Sequence, residues 1–263
     1  MKVCYLLNCL VQVNTHIINE IKGLIETGEE VIIINLFETG EEPKEFLKKH
    51  NIQDKIFYLN YYSSVGRKKY SRQNVLEKGL NEFFENKDLT KKENNNLLDI
   101  CYCKKSGKEI AFRKFLDCLN LIKIINKHKI DHIHCWFAGE NVELAYILNR
   151  FQNKKYSFSC GGSDMFIFPN VNLKKWAEQA KKVIVGAEYS KNFLINNFKI
   201  NADKIEVIYC SYDLNDFTPE DTIKEKEFTI ISVGRLHPIK GHKYLIEACK
   251  LIKNKGYNFK KKK

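Results

Sequence analysis

Short apolar runs that alternate with amphipathic stretches constrain the fold of this chain more than any other feature. The first 36 residues contain KVCYLLN, a continuous apolar run, then THIINEIKGLIETG, with apolar residues at helical spacing and Gly28 at its end, then the β-branched EVIIINL. A continuous apolar run suits a strand covered on both faces, and such strands belong to parallel sheets flanked by helices. The runs recur at KIFYL (55–59), DHIHCWF (131–137), KYSFSC (155–160), KKVIVGA (181–187) and DKIEVIYC (203–210), with helical stretches between most of them. This predicts right-handed βαβ units and an α/β fold built on a doubly wound, Rossmann-like parallel sheet. No repeat of fixed period accompanies it.

Between Val65 and Asn126 the texture changes to polar and charged sequence, then to the amphipathic GKEIAFRKFLDCLNLIKIINKH, in which Ile110, Phe115, Leu119, Ile122 and Ile125 can share one face. A helical insertion over about 65–126 is expected, either packed on the sheet or offering a basic, aromatic surface to an acceptor or a membrane. Residues 212–226 are polar, contain Pro219 and read as a linker. The expected organisation is therefore an N-terminal domain over 1–211 and the opening βα unit of a second Rossmann-like domain over 227–263. In the helix of that unit, Tyr244, Leu245, Ala248, Leu251 and Ile252 are expected to face a core.

The formal charge of +12 raises nucleic-acid binding as a reading. Much of that charge is lysine mixed with glutamate and asparagine along polar helices, and four lysines close the chain, which favours solvated helix faces and no specific nucleic acid. Attraction to an anionic membrane surface is the other use of such a charge. The nine cysteines are scattered and odd in number, so reduced structural thiols are expected in place of a disulfide framework. Cys101 and Cys103 stand without a second ligand pair, and no metal site is expected. No run approaches the roughly 18 apolar residues of a membrane span, and the N-terminus lacks a signal-peptide cleavage pattern, so a cytoplasmic protein is expected, peripheral at most.

The segment with the clearest chemistry is SVGRLHPIKG, Ser232 to Gly241. A strand ends at Gly234, a short loop carries Arg235 and Lys240, and a helix begins near Gly241. Unpaired N–H groups at a helix start, small residues and two cations suit a phosphate, with arginine forking and lysine adding a point charge. The plainer reading is a glycine-bounded turn with surface charges. Two further places are weighed in the same way. Gly161, Gly162 and Ser163 could let the backbone approach a substrate, with Asp164 accepting from a hydroxyl, or the segment is a strand-to-helix turn capped by Asp164. His134, near Trp136 at a strand end, is expected to be buried and hydrogen-bonded.

GRLHPIKG resembles the G-R-L-x-x-x-K-G element of family 4 of the retaining glycosyltransferases of GT-B type. NTHIINEIKGLIETGEEVIIINL resembles that family's first helix and second strand, DHIHCWFA its H-I-H-A-H-F-A strand end, and KIEVIYCSYDLNDFTP its stretch entering the interdomain linker. The resemblance spans nearly the whole chain. It implies a metal-independent sugar transfer from a UDP- or GDP-sugar to a saccharide or lipid-linked acceptor in surface-polysaccharide assembly. Arg235, Lys240, Gly234 and Gly241 would hold the donor diphosphate, with no cofactor beyond the donor substrate.

The chain departs from the family at several points. Gly161 stands where the family often has a cleft histidine, Cys210–Ser211 where it has Asn-Gly, and Cys9 to Val13 where it often has a glycine-rich loop. Family members continue through a full second domain with a glutamate pair, whereas this chain ends 37 residues after Lys226, so a truncated, inactive copy is one expectation. A noncatalytic carbohydrate- or partner-binding N-domain is the alternative.

Overall fold

The computed structural model describes residues 1–8, 15–36, 48, 55–59, 107–210, 212 and 228–262. The chain divides into a larger unit, Met1–Asp213, and a smaller one, Leu214–Lys263.

Among the described residues, the larger unit is an α/β fold around seven parallel strands. In chain order these are β1 (Lys2–Leu7), β2 (Glu30–Asn35), β3 (Ile56–Tyr58), β4 (His132–Trp136), β5 (Lys155–Ser159), β6 (Val183–Val185) and β7 (Ile205–Val207), arranged 3-2-1-4-5-6-7. The order reverses at β1, which pairs with β2 through Cys4↔Ile32 and with β4 through Cys4↔Ile133. This is the doubly wound sheet that the sequence predicts. Its helices among the described residues are α1 (Thr15–Glu26), α2 (Gly107–Lys127), α3 (Glu140–Gln152), α4 (Ser163–Phe166), α5 (Leu173–Gln179) and α6 (Glu188–Phe198).

The unbroken apolar run of β1 follows from burial on both faces. Val3, Tyr5 and Leu7 pack with Ile17 and Ile21 of α1, while Cys4 and Leu6 join the layer formed by α2, α3, α5 and α6. Gly28 ends α1 in the left-handed conformation (φ 85°), where a side chain would be strained; Gly28 N–H donates to Ile25 O and Glu29 N–H to Leu24 O.

Residues 65–106 of the expected insertion, with Cys101 and Cys103, lie outside the described residues, as do Cys9 to Val13 and all of the expected linker except Tyr212. The stretch from Gly107 onward is α2, which packs on the sheet. Phe115, Leu119 and Ile125 are buried as expected, and Leu116, Cys118 and Leu121 are buried as well. Lys114 is buried on α2 and pairs with Glu143 of α3 at 2.7 Å. The last strand is shorter than the sequence suggests. Ala202–Lys204 form a 3-10 turn in which Asn201 accepts from the Asp203 N–H, so pairing begins only at Ile205, and Ile208 and Tyr209 are exposed.

Cys4, Cys135, Cys160 and Cys249 are free and buried, Cys118 is buried as well, and burial pushes the thiols of Cys4, Cys135 and Cys160 well up, away from reactive thiolate. No helix among the described residues is long and apolar enough to cross a membrane.

The smaller unit contains β8 (Thr229–Ile231), α7 (His242–Asn254) and β9 (Lys260–Lys262). β9 lies parallel to β8 in the register Thr229↔Lys260, so the closing lysines make this a complete β-α-β unit. Backbone pairing asks nothing apolar of them. The expected core face of α7 is largely uncovered among the described residues: Tyr244, Ala248, Leu251 and Ile252 are exposed, Leu245 is half-buried, and Cys249 is the buried residue of the helix. Among the described residues, two strands shelter one narrow stripe of the helix.

Candidate functional site

In the smaller unit, the strand-to-helix connection holds all four residues expected to grip a diphosphate. Gly234 follows β8 closely, Arg235 and Lys240 are exposed, and Gly241 (φ 68°) turns the chain from the 3-10 turn Pro238–Lys240 into α7. The loop is braced by two histidines that the sequence reading passed over. His242 Nε2 lies 3.0 Å from Arg235 O and its Nδ1 3.1 Å from Ser232 Oγ. A carbonyl only accepts, so Nε2 carries a proton and donates it, while Nδ1 shares a hydrogen bond with the serine hydroxyl. His237 caps the 3-10 turn, accepting from the Ile239 N–H at 3.3 Å.

Gly234 lies at ordinary contact distance from the loop's own side chains. A Cβ there would meet His242 Nε2 at 3.4 Å and Lys240 Cγ at 3.6 Å, so the stem of Lys240 already lies against the residue beside Arg235. Neither the guanidinium of Arg235 nor the ammonium of Lys240 is paired with a carboxylate among the described residues. Two free cations on a braced loop that opens a helix of more than three turns form a site suited to a polyanion.

In the larger unit, the turn after β5 carries the second expected group. Gly162 has φ 75° and ψ −129°, which glycine alone adopts readily. Asp164 clasps two turns together: its Oδ2 accepts from the Ala138 N–H at 2.8 Å, beyond β4, and its Oδ1 from the Gly161 N–H at 3.2 Å, beyond β5. Burial pushes this carboxyl above the usual range, and the backbone donors pull it back. Asp164→Ala is expected to lower stability by about 1–3 kcal/mol, because two half-buried N–H groups lose their acceptor. Urea denaturation at neutral pH checks this.

The sequence reading caught only part of a third group. His134 is buried, with Nδ1 2.8 Å from Ser157 Oγ and Nε2 3.1 Å from Ser159 Oγ. His132 Nε2 also lies 2.8 Å from Ser157 Oγ. One hydroxyl proton therefore serves two imidazoles, so one ring donates and the other accepts. Glu20 of α1 completes the chain, accepting from Tyr5 Oη at 2.6 Å and Trp136 Nε1 at 2.9 Å, with His134 Nε2 at 3.6 Å. The available signal is the period of two: residues 132, 134 and 136, then 157 and 159, place polar or amphipathic groups on one face of strands otherwise apolar on both. Among the described residues, no three His, Cys, Asp or Glu stand close enough to hold a metal.

Neither a protein-family model nor a curated protein sequence matches the chain. Solved structures do. The chain is similar to the crystal structure of a glycosyltransferase from Rickettsia africae ESF-5, with a TM-score of 0.57 and 18% identity, over 99% of this chain and 59% of that one. It is also matched by a UDP-GlcNAc 2-epimerase from Methanocaldococcus jannaschii in complex with UDP-GlcNAc and UDP (TM-score 0.48, 15% identity, 79% of this chain and 46% of that one). A third match is MurG from Acinetobacter baumannii (0.46, 13%, 91% and 51%). This chain thus spans 59% of the length of the Rickettsia protein. The first likeness establishes a shared GT-B type fold.

Proposed function

We propose that the chain is part of a metal-independent, retaining glycosyltransferase that uses a UDP- or GDP-sugar. In this reading Arg235 and Lys240 bind the donor diphosphate, with Gly234 and Gly241 admitting it close to the backbone. As the glycosidic bond to the leaving diphosphate breaks, charge grows on its phosphate oxygens, and fixed cations stabilise that charge more than they stabilise the ground state. The acceptor is a saccharide or lipid-linked saccharide of surface-polysaccharide assembly, and the work is cytoplasmic, with no cofactor beyond the donor. The observation that carries the reading is the pair of cations, unpaired among the described residues, on a loop that Ser232 and His242 hold in shape.

Calorimetric titration of the full chain with UDP and with GDP tests it. One of the two is expected to bind, and Arg235→Ala or Lys240→Ala to weaken that binding about tenfold or more. Variants that bind as well as the parent would remove the diphosphate site. A second reading is a noncatalytic carbohydrate- or partner-binding N-domain, for which the larger unit has its own apolar core on each face of its sheet. Saccharide binding that survives both substitutions, without nucleotide binding, would favour it.

A further inference from the structure

The connection between α4 and α5 carries a surface that the diphosphate reading does not use. Met165 before it and Leu173 after it are fully buried, so both ends are fixed in the core. Between them the apolar side chains turn outward: Phe166 is 39% exposed, Ile167 59%, Phe168 80% and Val171 88%. These are the expected values for groups in water, and they are large apolar groups in sequence succession.

The loop has a defined shape. Phe168 N–H donates to Ser163 O at 2.7 Å and Leu173 N–H to Asn170 O at 3.0 Å, while the Asn170 carboxamide accepts from the Asn172 N–H at 2.9 Å. Phe166 is backed from below by Phe193 of α6, with ring centroids 4.7 Å apart, and flanked by the exposed Tyr189 at 5.8 Å. The tip therefore presents apolar groups on a built platform.

The charges around the tip are mostly positive. Lys174 and Lys175 follow immediately in α5, the exposed Lys175 with its ammonium 5.2 Å from the centre of the Tyr146 ring of α3, and Lys191 lies one turn into α6. Of the nearby carboxylates, Asp164 is spent on backbone N–H groups, Glu178 stands 3.8 Å from Lys174 in an exposed pair, and Glu188 opens α6. The chain as a whole carries +12.

We propose that this tip docks the protein on an anionic lipid bilayer, with Phe168, Ile167 and Val171 entering the headgroup boundary while Lys174 and Lys175 meet lipid phosphates. Apolar area supplies the insertion and the lysines supply attraction that salt screens. A saccharide would need a concave surface with convergent polar groups, and a protein partner would need a broader face than one loop tip. The inference stands on the loop alone, independently of Arg235 and Lys240.

The full chain is mixed with phosphatidylcholine vesicles containing about 30% phosphatidylglycerol, and bound protein is measured by co-sedimentation. Phe168→Glu/Val171→Glu is expected to lower partitioning about tenfold or more, Phe168→Leu/Val171→Ile to retain it, and Lys174→Gln/Lys175→Gln to reduce it and its salt dependence. Circular dichroism and gel filtration of each variant establish that it is folded. Phe168→Trp is expected to blue-shift its emission on adding the vesicles. Failure of the parent chain to bind, or equal binding by the double-glutamate variant, would overturn the proposal. So would a dimer of the parent chain that the double-glutamate variant dissolves, because the tip would then serve a second copy.

Discussion

Between pH 6.5 and about 4, the larger unit is expected to lose roughly 3 kcal/mol of stability through His134 alone. Burial lowers this imidazole from its ordinary value of 6.5 to about 4, because a charge there would lose its water. The folded state thus resists a proton that the unfolded chain accepts readily. Stability from this source is fully present above pH 6.5, declines as the unfolded imidazole takes up its proton, and is gone once pH falls through about 4. The figure follows from about 1.4 kcal/mol per tenfold change in proton affinity. His132, also lowered to about 4, chiefly by burial and then by the neighbouring His134, acts in the same direction with more solvent to soften it. Glu20 works the other way. Burial holds its carboxyl above the usual range, so acid favours its folded form and offsets part of the loss.

The measurement is simple because both tryptophans, Trp136 and Trp176, belong to the larger unit. Fluorescence-detected urea unfolding at pH 7 and pH 4.5 reports on that unit without interference from the smaller one. His134→Gln, which keeps a donor and an acceptor for Ser157 and Ser159 but cannot titrate, is expected to flatten the dependence. A variant whose stability falls with acid as steeply as the parent's would show that His134 is not the group responsible.

Trp176→Ala is expected to cost about 3–5 kcal/mol, the range for emptying a large aromatic site in a core that cannot collapse around it. Trp176 is among the most completely buried side chains, and its carbonyl accepts the hydroxyl of the buried Tyr156. It therefore fixes both the packing of α5 on the sheet and the position of β5. The denaturation midpoint, read from the remaining Trp136, checks the size of the effect. A loss below about 1 kcal/mol would mean that α5 repacks over the gap.

The sheet was legible because two-sided burial leaves an unmistakable mark. KVCYLL and EVIIIN have few other destinations than the middle of a parallel sheet, and Gly28 marks the end of α1 by a conformation that other residues avoid. The span of β7 was overestimated for a local reason: Asn201 captures the Asp203 N–H and bends the chain before pairing can start. The open face of α7 was not legible, since periodicity shows that a stripe is apolar and says nothing of what covers it.

At the sites the division is similar. Gly234 and Gly241 could be recognised as bounds of a loop because glycine has a narrow set of uses there. The brace by His242 could not, because it joins a hydroxyl ten residues earlier to a carbonyl seven residues earlier without any repeating pattern. The double duty of Asp164 depends on the turns beyond β4 and β5 becoming neighbours, which the strand order decides.

That strand order also governs how the molecule is assembled. The first three strands and the last four of the larger sheet can each form from nearby sequence, yet they meet only where β1 accepts β4, and the Lys2 N–H reaches across 129 positions to the Asp131 carboxylate. Bringing such distant stretches together must precede most of the reward for doing so, and contacts this far apart slow the search. On the ribosome, β1 would emerge early and wait with one edge unpaired until β4 has been synthesised.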